Sequence, residues 1–430
     1  MTLRRLPENV INKIAAGEVV ERPASVVKEL IENAIDANAT NIKVQLRDGG
    51  QTFISVTDNG RGMTSDELLL AIERHATSKL PNDDLSKIET LGFRGEALPS
   101  IGAVSRLSIL SRQFEADQAW SITVSGGNIT RPQPAALSKG TKIEVRDLFF
   151  ATPARLKFLK APKTEQMHCT DIIKRLAMAH PNVGWSFSDG NRDLLKLPTI
   201  ESSIDKTDPI LERLSMIMGK DFRENSMIIN AERENAILYG YAGLPTLNRG
   251  NAQLQFLFVN GRPVKDKLLY GAIRGAYREF LASDRYPLVA LFLDLPSESI
   301  DVNVHPAKLE VRFHNSGLIR GLIVGSLKKA LAEAGHRSSS TIANAALGVI
   351  NRGKDKYNYS SEHREKLSFP HYRNQQSISD KTLPGLNSEP LAPNQAEHQE
   401  VDFEYLDDFP LGVARAQLHK TYVVSQTKDG

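Results

Sequence analysis

Glu29, Asn33 and Asp36 recur at i, i+4 and i+7 within residues 25–36, so at about 100° per residue they share one stripe of a helix. Val27, Leu30, Ile31, Ala34 and Ile35 gather on the other side, which must pack on a sheet. A carboxylate on the open stripe can take the proton of an attacking water. The carboxamide oxygen of Asn33, one turn on, is a hard ligand suited to Mg2+, which keeps several waters and the oxygens of a substrate phosphate. Phosphoryl transfer asks little more of a protein than positioning and charge neutralisation. Taken alone, this helix also fits a plain amphipathic element with a solvated polar face.

A second segment, Asp58-Asn-Gly-Arg-Gly62, follows the alternating run Thr52–Thr57, which reads as a strand. Asn59-Gly60 suits a two-residue hairpin. However, Thr64 and Glu67 make a capping box, and Leu68, Leu69, Leu70 and Ile72 continue at helical spacing. The order is then strand, glycine loop, helix, with Asp58 at the end of the strand. An ionised Asp only accepts hydrogen bonds, so it can read the exocyclic amino group of adenine. Gly60 and Gly62 would let the backbone lie close beneath a flat base.

The third segment lies beyond Thr77-Ser78-Lys79. Gly92 and Gly95 bracket Phe93-Arg94, and a helix starts near Glu96, followed by Ala97 and Leu98. Pro99 falls in its first turn, where proline is tolerated. N–H groups at a glycine turn and a helix N-terminus form an anion site, although a flexible loop shares the pattern. No glycine loop of the Walker type occurs. Together the three segments supply a base, a metal ligand, a purine reader and a phosphate lid, which is a complete ATP site.

The elements that must hold these residues follow from composition shifts. At 430 residues the chain has length for two domains with real cores. Residues 1–205 mix strands and helices around the nucleotide segments, and residues 191–208 read as an irregular connection. From 206 to 331, strand-like runs at Ala236–Tyr241, Leu254–Val259 and Leu288–Leu293 alternate with helical patterns at Lys267–Ala282 and Leu318–Ala332, a second α/β domain. Residues 332–405 are polar and aperiodic and read as a disordered linker. Thr421–Gln426 is strand-like, Asp429-Gly430 signals a turn toward a second strand, and none follows, so residues 406–430 are expected to be disordered. The single Cys169 excludes an internal disulfide and suits a reducing cytoplasm. No run approaches the length of a membrane span, and the start of the chain lacks the apolar core of a signal peptide. A net charge of +3 is too small to claim nucleic acid by itself.

The order of these segments resembles the GHKL ATPases, and the text around them resembles the MutL family in particular. The matching stretches are Ile14–Leu30, Arg74-His-Ala-Thr-Ser-Lys79, Leu91-Gly-Phe-Arg-Gly-Glu-Ala-Leu98, Phe258-Val-Asn-Gly-Arg262 and Asn303-Val-His-Pro-Ala-Lys308. The resemblance covers about residues 1–331 and implies an α/β chain of the α+β sandwich kind. A Bergerat-type ATPase domain would be followed by a smaller α/β transducer domain and then the linker. By the same resemblance Glu29 is the general base, Asn33 the Mg2+ ligand, and Asp58 the adenine contact above Gly60 and Gly62. Thr77, Ser78 and Lys79 with Gly92 through Leu98 form the lid, Thr141 supports adenine recognition, and Lys308 reaches the γ-phosphate from the second domain. Ala151 stands where the family usually shows Asn, which leaves any polar contact there open, while Thr152, Pro153 and Arg155 match.

The implied function is DNA mismatch repair by a weak Mg2+-dependent ATPase whose closed homodimer links the mismatch-recognition protein MutS to incision and unwinding factors. The N-terminal segment to about Val20 would cross to the partner chain. The implied place is the cytoplasm, at the nucleoid and away from membranes. Residues 411–430 resemble the opening of a dimerisation domain, so the chain is expected to be the front part of a longer protein, monomeric without nucleotide, with any endonuclease motif beyond its end. Between residues 206 and 331 Lys and Arg outnumber Asp and Glu, and Arg262, Lys265, Lys267, Arg274 and Arg278 form the tightest cluster. A solvated face and a phosphate-contacting groove both fit this cluster. The resemblance favours the groove, binding backbone without sequence preference. Two other functions stay open: a nucleotide-gated scaffold whose turnover is incidental, and another GHKL ATPase such as a topoisomerase subunit or chaperone. Phe258–Arg262 and Asn303–Lys308 speak against the last.

Overall fold

Helix α1 (Glu8–Val19) leads into α2 (Pro23–Asp36), where Pro23 at the first turn lacks only an N–H that would go unpaired there anyway. Val26, Val27, Leu30 and Ile31 of α2 are buried, each contributing about 1.5–3 kcal/mol on the usual area scale. They pack on a sheet whose first strands are β1 (Asn41–Arg47) and β2 (Phe53–Asp58). Residues along β1 alternate exposed and buried, the pattern of a sheet with one covered face. The expected capping box forms at α3 (Ser65–Ala71), with the Thr64 and Glu67 side chains each bonded to the other's backbone N–H.

The domain continues through α4 (Ala97–Val104), β3 (Arg106–Arg112), β4 (Ala119–Ser125), β5 (Asn128–Ile129), β6 (Gln133–Ala135) and β7 (Gly140–Arg146). It closes with α5 (Pro153–Leu156), α6 (Pro162–Ala179), β8 (Gly184–Ser188) and β9 (Asp193–Leu197). The strands form one sheet in the order β5-β4-β3-β7-β2-β1-β8-β9, with β6 beside β4. Only β1 and β8 run parallel among the described pairs of this sheet. β9 corrects the expectation of an irregular connection from 191 to 208. Its five residues carry Leu194, Leu195 and Leu197 against the core, a run too short to read as a strand by itself, and pairing with β8 makes it the outer strand of the sheet.

The second sheet follows α7 (Pro209–Met218) and α8 (Lys220–Glu224). This part of the chain runs through β10 (Ser226–Arg233), β11 (Ala236–Gly243), the short β12 (Asn248–Arg249), β13 (Gln255–Val259), β14 (Arg262–Val264) and α9 (Lys267–Tyr277). The run ends with β15 (Tyr286–Pro287), β16 (Val289–Asp294), β17 (Ile300–Asp301), β18 (Arg312–Phe313) and α10 (Ser316–Asn351). The sheet order is β10-β11-β16-β13-β14. Every residue of β13 is buried because both faces are covered. Leu257 and Val259 face Ile273 and Leu327 of α9 and α10, whereas Phe256 and Phe258 meet Leu214 and Phe222 of α7 and α8. Helix α10 runs past residue 331 to Asn351, which corrects the linker boundary. Ala332, Ala334, Ala343, Ala345 and Ala346 have high helix propensity without large apolar side chains, so periodicity alone undervalued them.

Arg213 of α7 fastens the two sheets together. Its side chain is fully buried, and Nη2 lies 2.7–2.9 Å from the carbonyl oxygens of Pro181, Val183 and Pro198 in the first domain.

The computed structural model describes residues 7–79, 90–92, 94–190, 192–200, 208–301, 310–351, 413–418 and 422–426. The chain divides into units Met1–Lys354 and Asp355–Gly430. In the second, β19 (Val413–Leu418) pairs antiparallel with β20 (Tyr422–Gln426), which corrects the expectation that 406–430 is unstructured. The partner strand precedes Thr421 instead of following Gly430.

Candidate active site

Strand β2 delivers Asp58 to the edge of a cavity of about 670 Å3, a volume typical of small-molecule sites. The residue is only 9% exposed, and burial pushes its pKa from 3.8 to about 6 against the pull of amide hydrogen bonds from Gly60 and Thr141. The Gly60 N–H donates to Oδ1 at 2.8 Å. Across the ladder Asp58 faces Thr141 of β7, and Thr141 faces Ser111 of β3. The Ser111 and Thr141 hydroxyls are 2.9 Å apart, and the Met63 N–H donates to the Ser111 hydroxyl at 2.8 Å. Ser111, fully buried behind Thr141, is a support that sequence reading missed, and only the strand register brings it here.

The rest of the wall is largely as expected. Glu29, Asn33 and Asp36 all line the cavity from α2, as do Gly62, Thr77, Ser78, Lys79, Gly92, Arg94, Gly95, Glu96, Ala97, Leu98 and Thr141. Gly60 does not. A Cβ on it would come 2.7 Å from the Ala37 carbonyl, so it serves by packing the loop on the end of α2 and by orienting Asp58. Gly62 adopts φ 71°, and a Cβ there would lie 2.1 Å from the Arg112 carbonyl, so both conformation and space demand glycine. Phe93 and Lys308 lie outside the described residues.

Beside Asn33 the structure shows what kind of group this corner attracts. The Lys79 ammonium lies 2.7 Å from Asn33 Oδ1 and 2.6 Å from Asp36 Oδ2. Two hard oxygens already gripping a cation fit a Mg2+ ligand set completed by phosphate and water. Asp36 also accepts the N–H groups of Leu91 and Gly92, each at 2.9 Å, and so ties the lid to α2.

Arg262, expected on a DNA-facing surface, sits elsewhere. It is 5% exposed, and its guanidinium donates to the carbonyls of Leu91, at 2.8 Å, and Thr90. Burial depresses its pKa, while Glu32, Asp36 and Glu29 of α2 support its charge. Buried in this corner, it is removed from the solvent-facing set. Glu32, 1% exposed and 3.3 Å from Lys28, was not singled out in the sequence. Lys265 is exposed and lies 3.4 Å from Asp171 of α6. Lys267 and Arg274 on α9 and Arg278 at its C-cap are exposed at i, i+7 and i+11, one stripe of the helix. Near the departure at Ala151, Arg155 donates to the Val20 carbonyl at 3.1 Å and lies over Gly17, holding α1 against its own chain.

Residues 21–148 match the family of histidine kinase-, DNA gyrase B- and HSP90-like ATPases, so sheet, cavity and sequence agree on a GHKL-type ATP-binding ATPase domain. Residues 214–332 match the family described as DNA mismatch repair protein, C-terminal domain. The chain is similar to the DNA mismatch repair protein MutL of Paramagnetospirillum magneticum, 52% identical over 447 residues that cover all of this chain and 72% of the relative. A similar protein of the same name from Rhodospirillum rubrum is 50% identical, covering all of this chain and 73% of its own length. Among solved structures, the N-terminal domain of a DNA repair protein has a TM-score of 0.63 at 26% identity, covering 75% of this chain and 98% of its own. The Aquifex aeolicus MutL ATPase domain complexed with ADP has a TM-score of 0.50 at 28% identity, covering 71% and 98%. The chain belongs to the MutL family of DNA mismatch repair proteins.

Proposed function

We propose that this chain is an ATP-gated matchmaker of mismatch repair, in which nucleotide binding closes an N-terminal dimer on DNA and hydrolysis resets it. The observation that carries the nucleotide half is Asp58, a buried acceptor held by Gly60 and paired across the sheet with Thr141 at a cavity that also receives Glu29 and Asn33. Asp58 accepts from the exocyclic amine of adenine, and the Thr141–Ser111 hydroxyl pair fixes the strand edge beside it. Glu29 accepts the proton of the attacking water, and Asn33 offers its amide oxygen to the metal. Mg2+, when bound, would neutralise charge on the phosphates. Lys79 leaves Asn33 to make room, and its ammonium then becomes available to a phosphate oxygen. Gly95 and the N-terminus of α4 offer backbone N–H groups to the same anion.

The DNA half rests on the exposed stripe of Lys267, Arg274 and Arg278, with Lys265 beside it. Such a stripe meets phosphates without reading bases. The matchmaking partners are a mismatch-recognition protein of the MutS kind and the factors that incise and unwind the strand. Steady-state ATP hydrolysis with and without single-stranded DNA tests both halves. Slow Mg2+-dependent turnover that rises on adding DNA is expected. Turnover indifferent to DNA would favour a chaperone-like ATPase, and no turnover with intact ATP binding would favour a scaffold.

A further inference from the structure

The segment Thr90–Gly92 is gripped from two sides by residues of different domains. On one side Asp36 of α2 accepts the N–H groups of Leu91 and Gly92. On the other, Arg262 of the second sheet donates to the carbonyls of Thr90 and Leu91. The Thr90 hydroxyl donates to the Gly92 carbonyl at 2.7 Å and closes the turn. Opposite backbone groups of one short stretch are therefore held by opposite charges, and Gly92, Arg94 and Gly95 line the cavity beside it.

The arginine itself stands on a rigid mount. Asn260 and Gly261 both have positive φ, 46° and 74°, the turn that matches the twist of an antiparallel pair. The Asn260 side chain receives the Leu295 N–H at 2.8 Å and donates to the Leu295 carbonyl at 2.9 Å, so the turn is stapled to the end of β16. Nothing in Arg262 touches the cavity, so its effect must pass through the lid. An arginine that served only to join the domains would have no need of these two carbonyls, because Arg213 already performs that task.

We propose that Arg262 is a positioning residue for hydrolysis: from the second domain it sets the root of the lid, so that the glycine turn meets the phosphates only when the two domains are docked. This rests on the nucleotide reading above and deepens it. The two carbonyls need two donors in one plane, which guanidinium supplies and ammonium does not.

Arg262→Gln and Arg262→Lys test it against the wild type by steady-state ATPase, ADP titration calorimetry and thermal melting. A kcat lower by roughly 10- to 100-fold in R262Q is expected, since small misplacements of a reacting group cost that much. R262K should fall between R262Q and wild type. ADP affinity and KM should stay within about threefold, because the adenine pocket is untouched. A folded R262Q or R262K with wild-type kcat overturns the proposal. Equal losses of kcat and ADP affinity overturn it too, since they would make Arg262 a support of the whole pocket. If R262Q does not fold, R262K decides alone. A wild-type chain that binds ATP without hydrolysing it overturns the function reading and this one with it, whereas a hydrolysing wild type with indifferent variants overturns only this one.

Discussion

Replacing Asp58 with asparagine should separate what the carboxylate does for the nucleotide from what it costs the fold. The buried carboxyl titrates at about 6 in place of 3.8 because desolvation penalises its charge. A folded pKa raised above the unfolded one means that the folded state holds the proton more tightly. The cost to the apo fold is therefore fully present above about 6 and fades as pH falls toward 3.8. At about 1.4 kcal/mol per pH unit it amounts to about 3 kcal/mol at neutral pH. Nucleotide binding has the opposite sign, since the ionised form offers the adenine amine a charged acceptor while the protonated form turns one oxygen into a donor and has the Gly60 N–H on the other, so affinity should fall, by up to about tenfold per unit, below about 6. In Asp58→Asn the carboxamide keeps one oxygen for the Gly60 N–H and turns an N–H2 donor toward a donor. Losing a bond to a buried charged acceptor costs about 2–3 kcal/mol, or roughly 30- to 150-fold in ADP affinity. Calorimetric titration with ADP from pH 7.5 to 5, beside apo melting curves, reads both effects. The variant's own pH profile removes the titration of the phosphates. The variant should bind weakly at every pH and melt higher than wild type at pH 7.5. Wild-type ADP affinity in Asp58→Asn, or an affinity ratio between the two proteins that does not change with pH, would refute the reasoning.

Glu29→Ala should keep nucleotide binding and slow hydrolysis by roughly 10²- to 10⁴-fold, the usual worth of a general base, and single-turnover hydrolysis beside ADP titration checks both. Asn33→Ala should lose the Mg2+-dependent part of ATP binding and leave the metal-free part, measured with and without a chelator. Reversing Lys267 and Arg274 to Glu should weaken DNA binding and flatten its salt dependence while ATPase without DNA survives; an unchanged slope of log affinity on log salt would assign the stripe to another role. Arg213→Leu should lower stability by about 1–3 kcal/mol because the Val183 and Pro198 carbonyls lose the guanidinium while that of Pro181 keeps only the Ile200 N–H, seen as a lower urea midpoint.

Much of the site could be read from local pattern. Glu29, Asn33 and Asp36 share a stripe because 3.6 residues make a turn, and the Thr64–Glu67 box and the glycines around Asp58 announce strand, loop and helix within one short stretch. The strands at Ala236, Gln255 and Val289 were visible for the same reason, since apolar runs need burial wherever they end up. β9, the far end of α10 and the partner of the strand at Tyr422 were not, because such short or polar-interrupted runs are fixed by the element they pair with or continue and not by their own periodicity. Registers lay beyond sequence reading as well: Thr141 and Ser111 reach Asp58 only through ladders that join strands far apart in the chain. The same holds for charge. Arg262 and Lys267 look alike in a basic cluster, and local spacing contains nothing that sends one under the lid and leaves the other in solvent. The chain alone determined which side chains share a helix face or end a strand, because those are set by backbone geometry over a few residues. Which of them meet, which are buried and which charges face each other was decided by the docking of two sheets, through contacts between residues more than a hundred positions apart.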